Sequence, residues 1–306
     1  MTSQPDTMLT RGQVHPGPLI DGRPVNNGTP GRISRRFQRL LVSKGEAQEA
    51  LLEQRIRSLP GVTRANAVAL ISPKGGVGKT TSTFLVGNLL ATHLKLRVIA
   101  VDANPDFGTL ARLSPDRRRC ERSLADLLAD ADRLKTAAEL NPYVSRQATG
   151  LHVLGAPRDA ELTGSLDPDR YGELVAFLSC FYEVVLLDLG TGVGGPLARF
   201  AIDRADQAVL VTTPEWITSS VVLDALAHVQ HDRTTVVLNK SLLRANDLPA
   251  VEQRFRAEHL HRTVTIPYDE QLAWMLDGGH YTLGALQRRT RLAIKRLGLA
   301  VVEQLV

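Results

Sequence analysis

Two cysteines in 306 residues, Cys120 and Cys180, are too few for a disulfide framework and read as reduced thiols. The eight histidines are scattered, so no local Cys/His spacing suggests a metal centre of the zinc-finger kind. No apolar run approaches the roughly 18 to 20 uncharged residues that span a bilayer. Runs such as Val184–Leu187 are far too short. The opening MTSQPDTMLTRGQ lacks the apolar stretch of a secretory signal. Lysine is scarce, seven against thirty arginines, a bias that fits a high-GC genome. With 43 % hydrophobic and 23 % charged residues, the chain has the composition of an ordinary globular protein. The expected compartment is the cytoplasm.

Charge is unevenly placed. Residues 1–60 carry nine Lys/Arg and five Asp/Glu, and residues 284–306 carry five and one. Each end is therefore +4, and the body between them is −3 within a total of +5. Two basic ends on a mildly acidic body suit peripheral contact with an anionic surface, either DNA of the nucleoid or a membrane. Solvated charged faces account for the same numbers equally well.

Residues 1–30 are rich in Pro, Gly, Asn, Thr and Asp, with too few large apolar groups to offset ordering entropy, and read as a flexible tail. Over 31–60, Ile33, Phe37, Leu40, Leu41, Ala47, Ala50, Leu51 and Ile56 recur at helical spacing beside Arg32, Arg35, Arg36 and Arg39. This is a basic amphipathic helical extension, suited either to docking or to lying on the body. Pro60-Gly61 punctuates the chain and opens a folded domain over 61–306. There, strand candidates Ala67–Ser72, Arg97–Asp102, Leu151–Leu154, Val184–Asp188, Ala208–Thr212, Thr235–Asn239 and Thr263–Ile266 alternate with helical patterns such as Thr80–His93, Pro168–Phe181 and Ile217–Val229. The fold class is α/β, with a mainly parallel central sheet and helices on both faces.

The first strand runs into Ser72-Pro73-Lys74-Gly75-Gly76-Val77-Gly78-Lys79-Thr80-Thr81 and then a helix. Closely spaced glycines let successive backbone N–H groups turn inward around phosphate, and the helix N-terminus adds partial positive charge. Lys79 is placed for the β- and γ-phosphates and the Thr80 hydroxyl for Mg²⁺. The strict Walker A pattern is broken by Pro73, which stands where its first glycine belongs.

This loop resembles the deviant Walker A of the ParA/MinD ATPases, whose extra lysine reaches the nucleotide of a partner subunit; Lys74 stands at that position. The resemblance implies a nucleotide-binding set of Gly75, Gly76, Val77, Gly78, Lys79, Thr80 and Thr81, ATP with Mg²⁺ as cofactors, and a homodimer in the ATP state. Val101-Asp102-Ala103-Asn104-Pro105-Asp106 matches the family's first switch. Asp102 then lies near Mg²⁺, and Asn104 replaces a carboxylate that orients the attacking water. An amide can hold a water but cannot take its proton, so slow hydrolysis, or help from Asp106, follows. Val184–Gly192 resembles Walker B and the second switch, with Asp188 holding a water on the metal. The implied catalytic set is Lys74, Lys79, Asp102, Asn104 and Asp188, and the implied metal set is Thr80, Asp102 and Asp188. Asn239 resembles the adenine-contacting Asn, and Pro267 and Tyr268 the adenine-side loop. Leu242 stands where a guanine reader needs Asp, which favours ATP over GTP.

The variants Val-Asp-Ala-Asn-Pro-Asp and Asp-x-Gly-Thr-Gly look like those of actinobacterial relatives, some of which accompany type VII secretion. The resemblance spans about Asn66 to Leu305 and implies a spatial organiser or recruitment switch with an activating protein partner. Two other readings stay open: a nearly inactive nucleotide-gated scaffold, or a biosynthetic ATPase. The basic run Arg288, Arg289, Arg291, Lys295, Arg296 reads either as a DNA or membrane contact, or as the outer face of a final helix packed through Leu292, Leu299 and Val302.

Overall fold

The computed structural model describes residues 35–104, 108–159, 167–225, 231–242 and 247–306, with side chains from residue 45 onward except 224 and 225. The expected tail 1–30, with Arg32, Ile33 and Asp106, lies outside these residues. The chain divides into two units, 1–45 and 46–306. Of the first, the described part is the opening of helix α1 (Arg35–Arg57).

The second unit is built on eight strands: β1 (Asn66–Ser72), β2 (Val98–Ala103), β3 (Ser145–Arg146), β4 (His152–Leu154), β5 (Val184–Thr191), β6 (Gln207–Thr212), β7 (Thr234–Ser241) and β8 (Thr263–Pro267). Their order across the sheet is β3-β4-β2-β5-β1-β6-β7-β8, and every pairing is parallel except β3 with β4. All seven strands expected from sequence are present. The short antiparallel edge strand β3 was not expected, because two residues carry no readable period.

The inner strands are buried on both faces, and their side chains divide by alternation. Val68, Leu70, Ala100, Leu186, Val209 and Val237 face one core, which α2 (Lys79–His93), α8 (Glu270–Asp277) and α9 (Arg288–Val302) cover. Ala69, Ile71, Val101, Leu187, Leu210 and Leu238 face the other. That core is covered by α3 (Leu124–Asp130), α4 (Pro168–Ser179), α5 (Pro196–Arg204), α6 (Trp216–Ala225) and α7 (Leu248–Ala257). Burial on both sides is why the strands read as continuous Val/Ile/Leu runs.

Helix α9 carries the basic C-terminal run. Leu292, Leu299 and Val302 are buried, so the helix packs on the sheet. Of its cations, Arg291 and Lys295 turn toward α1, where Glu49 accepts from both and Glu53 accepts from Lys295. Arg55 pairs with Glu303, and Ile56 is buried. Residues 46–57 thus pack as part of the second unit. Among the described residues, no helix is long and apolar enough to cross a membrane.

Candidate nucleotide site

Strand β1 lies between β5 and β6, and the loop that follows it leaves the sheet at its C-terminal edge, where parallel sheets collect ligands. Ser72 starts that loop with a small hydrogen-bonded ring: its hydroxyl donates to the Lys74 carbonyl (2.8 Å) and accepts from the Lys74 N–H (3.2 Å). Gly78 ends it at φ 93°, in the left-handed region. A Cβ on Gly78 would stand 2.1 Å from Asn239 Nδ2, so both backbone and neighbour demand glycine here.

Lys79 opens α2 and is buried. Its ammonium donates to Asp188 Oδ1 at 2.8 Å, and Asp188 is itself 1 % exposed. The Thr83 hydroxyl lies 3.4 Å from the same oxygen. Asp188 Oδ2 is buried without a hydrogen-bond partner. Its sheet neighbour on β2 is Asp102, also buried. Asp102 accepts from the Leu110 N–H (2.8 Å) and the Asn104 N–H (3.4 Å). Gly108 lets the chain pass close by, since a Cβ there would fall 2.3 Å from the carboxylate. Burial first, and then the charge of Asp188, push the Asp102 carboxyl up to about 7, against the pull of those two N–H groups. Two adjacent buried carboxylates, one with an unsatisfied oxygen, form an oxygen donor set that fits a divalent cation.

Thr80 and Thr81 are half-buried and line an open cleft of about 910 Å³ with Gly108, Thr109 and Lys240. The end of β5 is tied to the loop's base by the Gly192 N–H, which donates to the Ser72 carbonyl (2.9 Å), and Thr191 lies against Gly75. On the other side, Asn239 is buried and its amide donates to the Val77 carbonyl at 2.8 Å. The carboxamide donor expected to meet adenine thus braces the loop. Pro267 pairs with Ser241, and the Tyr268 N–H donates to the Ser241 carbonyl (2.9 Å), leaving the Tyr268 ring partly exposed. Leu242 is exposed.

Lys74 is exposed, and its ammonium donates to Thr218 Oγ1 of α6 at 3.0 Å. Two participants were not singled out from sequence. Lys240, in the left-handed region at φ 53°, donates from Nζ to the Gly76 carbonyl (2.8 Å); its signal was a lysine directly after the strand-ending Asn. Thr218 gave none, being an ordinary helical threonine.

The pattern of the CobQ/CobB/MinD/ParA nucleotide binding domain matches residues 68–293. The ESX-1 secretion-associated protein EspI of Mycobacterium tuberculosis is 30 % identical over 247 residues, covering 76 % of this chain and 36 % of EspI. The septum site-determining protein MinD of Synechocystis is 29 % identical over 158 residues, 52 % of this chain and 56 % of that protein. The chain therefore spans about a third of EspI and little more than half of MinD. Among solved structures, a ParA family ATPase from Chlorobium tepidum superposes with a TM-score of 0.63 at 21 % identity, covering 77 % of this chain and 98 % of that one. MinD of Pyrococcus horikoshii complexed with Mg-ADP gives 0.59 at 21 %, with 76 % and 94 % covered. These likenesses show the fold.

Proposed function

The chain belongs to the CobQ/CobB/MinD/ParA nucleotide-binding family, and from that membership we propose that it is a Mg²⁺-dependent ATPase whose ATP state is a homodimer. The observation that carries the nucleotide reading is the buried Lys79–Asp188 pair at the mouth of a glycine loop opening a helix; Leu242 in place of Asp favours ATP over GTP. Lys79 and the loop N–H groups would take the phosphates, and Thr80, Asp102 and Asp188 would hold the metal, directly or through water. Mg²⁺ would neutralise charge on the phosphoryl oxygens. Pro267 and Tyr268 would border the base, with Asn239 bracing the loop through Val77. Nucleotide titration tests this assignment: Lys79→Ala is expected to lose ATP binding, and wild-type affinity in that variant would refute it.

Lys74 supports the dimer reading, because the loop's own geometry does not use its ammonium on a loop atom. A cation set on the phosphates of a second subunit would make association depend on nucleotide. Asn104 in place of a carboxylate supports slow turnover awaiting a partner, or a nearly inactive scaffold if no partner restores it. The likeness to EspI supports a role as recruitment switch beside secretion machinery. The exposed Arg288, Arg289 and Arg296 support contact with an anionic surface, DNA or membrane.

A further inference from the structure

Strand β7 ends irregularly. Leu238 pairs with Thr265 of β8 and Ser241 with Pro267, so three steps along β7 match two along β8. The surplus residue makes a bulge at Asn239-Lys240, and Lys240 takes φ 53°, in the left-handed region that side chains other than glycine rarely adopt. Regular pleating sends successive side chains to opposite faces of a sheet. Here two successive side chains turn to one target. Asn239 Nδ2 donates to the Val77 carbonyl (2.8 Å) and Lys240 Nζ donates to the Gly76 carbonyl (2.8 Å). Two consecutive residues of the strand thus meet two consecutive carbonyls of the glycine loop.

The other side of those peptides is what faces a ligand. In a trans peptide the C=O and N–H point in opposite directions. Fixing the Gly76 carbonyl therefore fixes the aim of the Val77 N–H, and fixing the Val77 carbonyl fixes the aim of the Gly78 N–H. A loop that turns N–H groups inward around phosphate must hold its carbonyls outward, and each such carbonyl needs a donor of its own. We propose that Lys240 is a positioning residue for the phosphates: its ammonium locks the Gly76 carbonyl outward, so that the Val77 N–H is set toward phosphate before nucleotide arrives. The proposal rests on the nucleotide reading above and adds to it a residue that acts through the loop. It also accounts for the bulge and the left-handed lysine, because strained conformations of this kind persist where surrounding contacts fix them and a site uses them. The lysine stem runs beside Gly78, with Cε 3.8 Å from where a Cβ would stand.

Lys240→Met keeps most of the side chain and removes the donor, whereas Lys240→Arg keeps both donor and charge. Lys240 is exposed, so neither substitution touches the core. Lys240→Gly adopts φ 53° without strain and serves as a second donor-free variant. Affinity is titrated for two probes, Mg-ADP and Mg-tripolyphosphate, which has no base, and the unfolding temperature is read without ligand. Lys240→Met and Lys240→Gly are expected to bind both probes ~10-fold or more weakly, by a common factor, with Lys240→Arg recovering most of the loss. Unfolding temperatures are expected to stay within about 2 °C of wild type. Wild-type affinity in Lys240→Met overturns the proposal. So does a loss confined to Mg-ADP, which would make Lys240 a contact of the base, or an equal loss in Lys240→Arg. A loss that tracks a falling unfolding temperature overturns it as well, since the role would then be structural. Wild-type protein that binds ADP but not tripolyphosphate also overturns it, because a loop set for phosphate needs no base. Wild-type protein that binds neither probe defeats the nucleotide reading, and the positioning role with it.

Discussion

At the scale of single residues, the loop works because its neighbours leave room for nothing larger. Gly78→Ala would drive a methyl into the Asn239 amide and strain a backbone at φ 93°. We expect a loss of about 1–3 kcal/mol in stability together with loss of nucleotide binding. Thermal unfolding and ATP titration check both, and an alanine variant that binds normally would show that the loop can relax around Asn239. Asn104→Asp restores a carboxylate beside Asp102, and steady-state turnover is expected to rise on the order of 10²-fold. An unchanged rate would move the missing group to Asp106 or to a partner. The loop itself was legible in the sequence because its residues are contiguous and their spacing carries the chemistry. The braces were not: Asn239 and Lys240 meet the loop from more than 160 residues away, and Thr218 meets Lys74 across 144.

At the scale of elements, the second half of helix α1 is tied down. Glu49 and Glu53 are spent on Lys295 and Arg291 of α9. The Arg291 guanidinium, with the Lys295 ammonium behind it, holds the Glu49 carboxyl down at about 2 against the opposing effect of burial. A depressed carboxyl stabilises the fold above its ordinary pKa of 4.5 and loses that contribution as pH falls toward 2. Glu49→Gln should therefore flatten the acid limb of stability between those values, measured by denaturant unfolding at each pH. An identical acid limb would mean that Glu49 is not engaged in solution. Lys295 is 3 % exposed, and removing both glutamates would strand a buried cation at a cost of about 3–5 kcal/mol. Truncation separates the two halves of the helix: removing 1–45 should preserve stability, whereas removing 1–60 should lower it. Helical spacing does not reveal the partner of this segment, since Glu49 and Lys295 lie 246 positions apart.

At the scale of the whole molecule, alternation of short apolar runs with helical patterns carried the sheet and its two helical layers, because strands buried on both faces leave an unmistakable Val/Ile/Leu signature. The region between β2 and β4 was opaque, being mostly short 3₁₀ turns and one seven-residue helix without a sustained period. The sheet order places the glycine loop, Asp102 and Asp188 on the carboxyl ends of three adjacent strands, β2, β5 and β1. That one edge is where nucleotide, metal and a second copy would meet, so association is the property on which the proposed function turns. The most direct measurement is the mass of the 306-residue chain by sedimentation with Mg²⁺ and a non-hydrolysable ATP analogue, compared with ADP, for wild type and Lys74→Ala. The expected result is two chains for wild type with the analogue, one with ADP, and one for Lys74→Ala under both conditions while it still binds nucleotide. Equal masses of wild type with the analogue and with ADP, or a Lys74→Ala variant that dimerises like wild type, would contradict a switch built on that lysine.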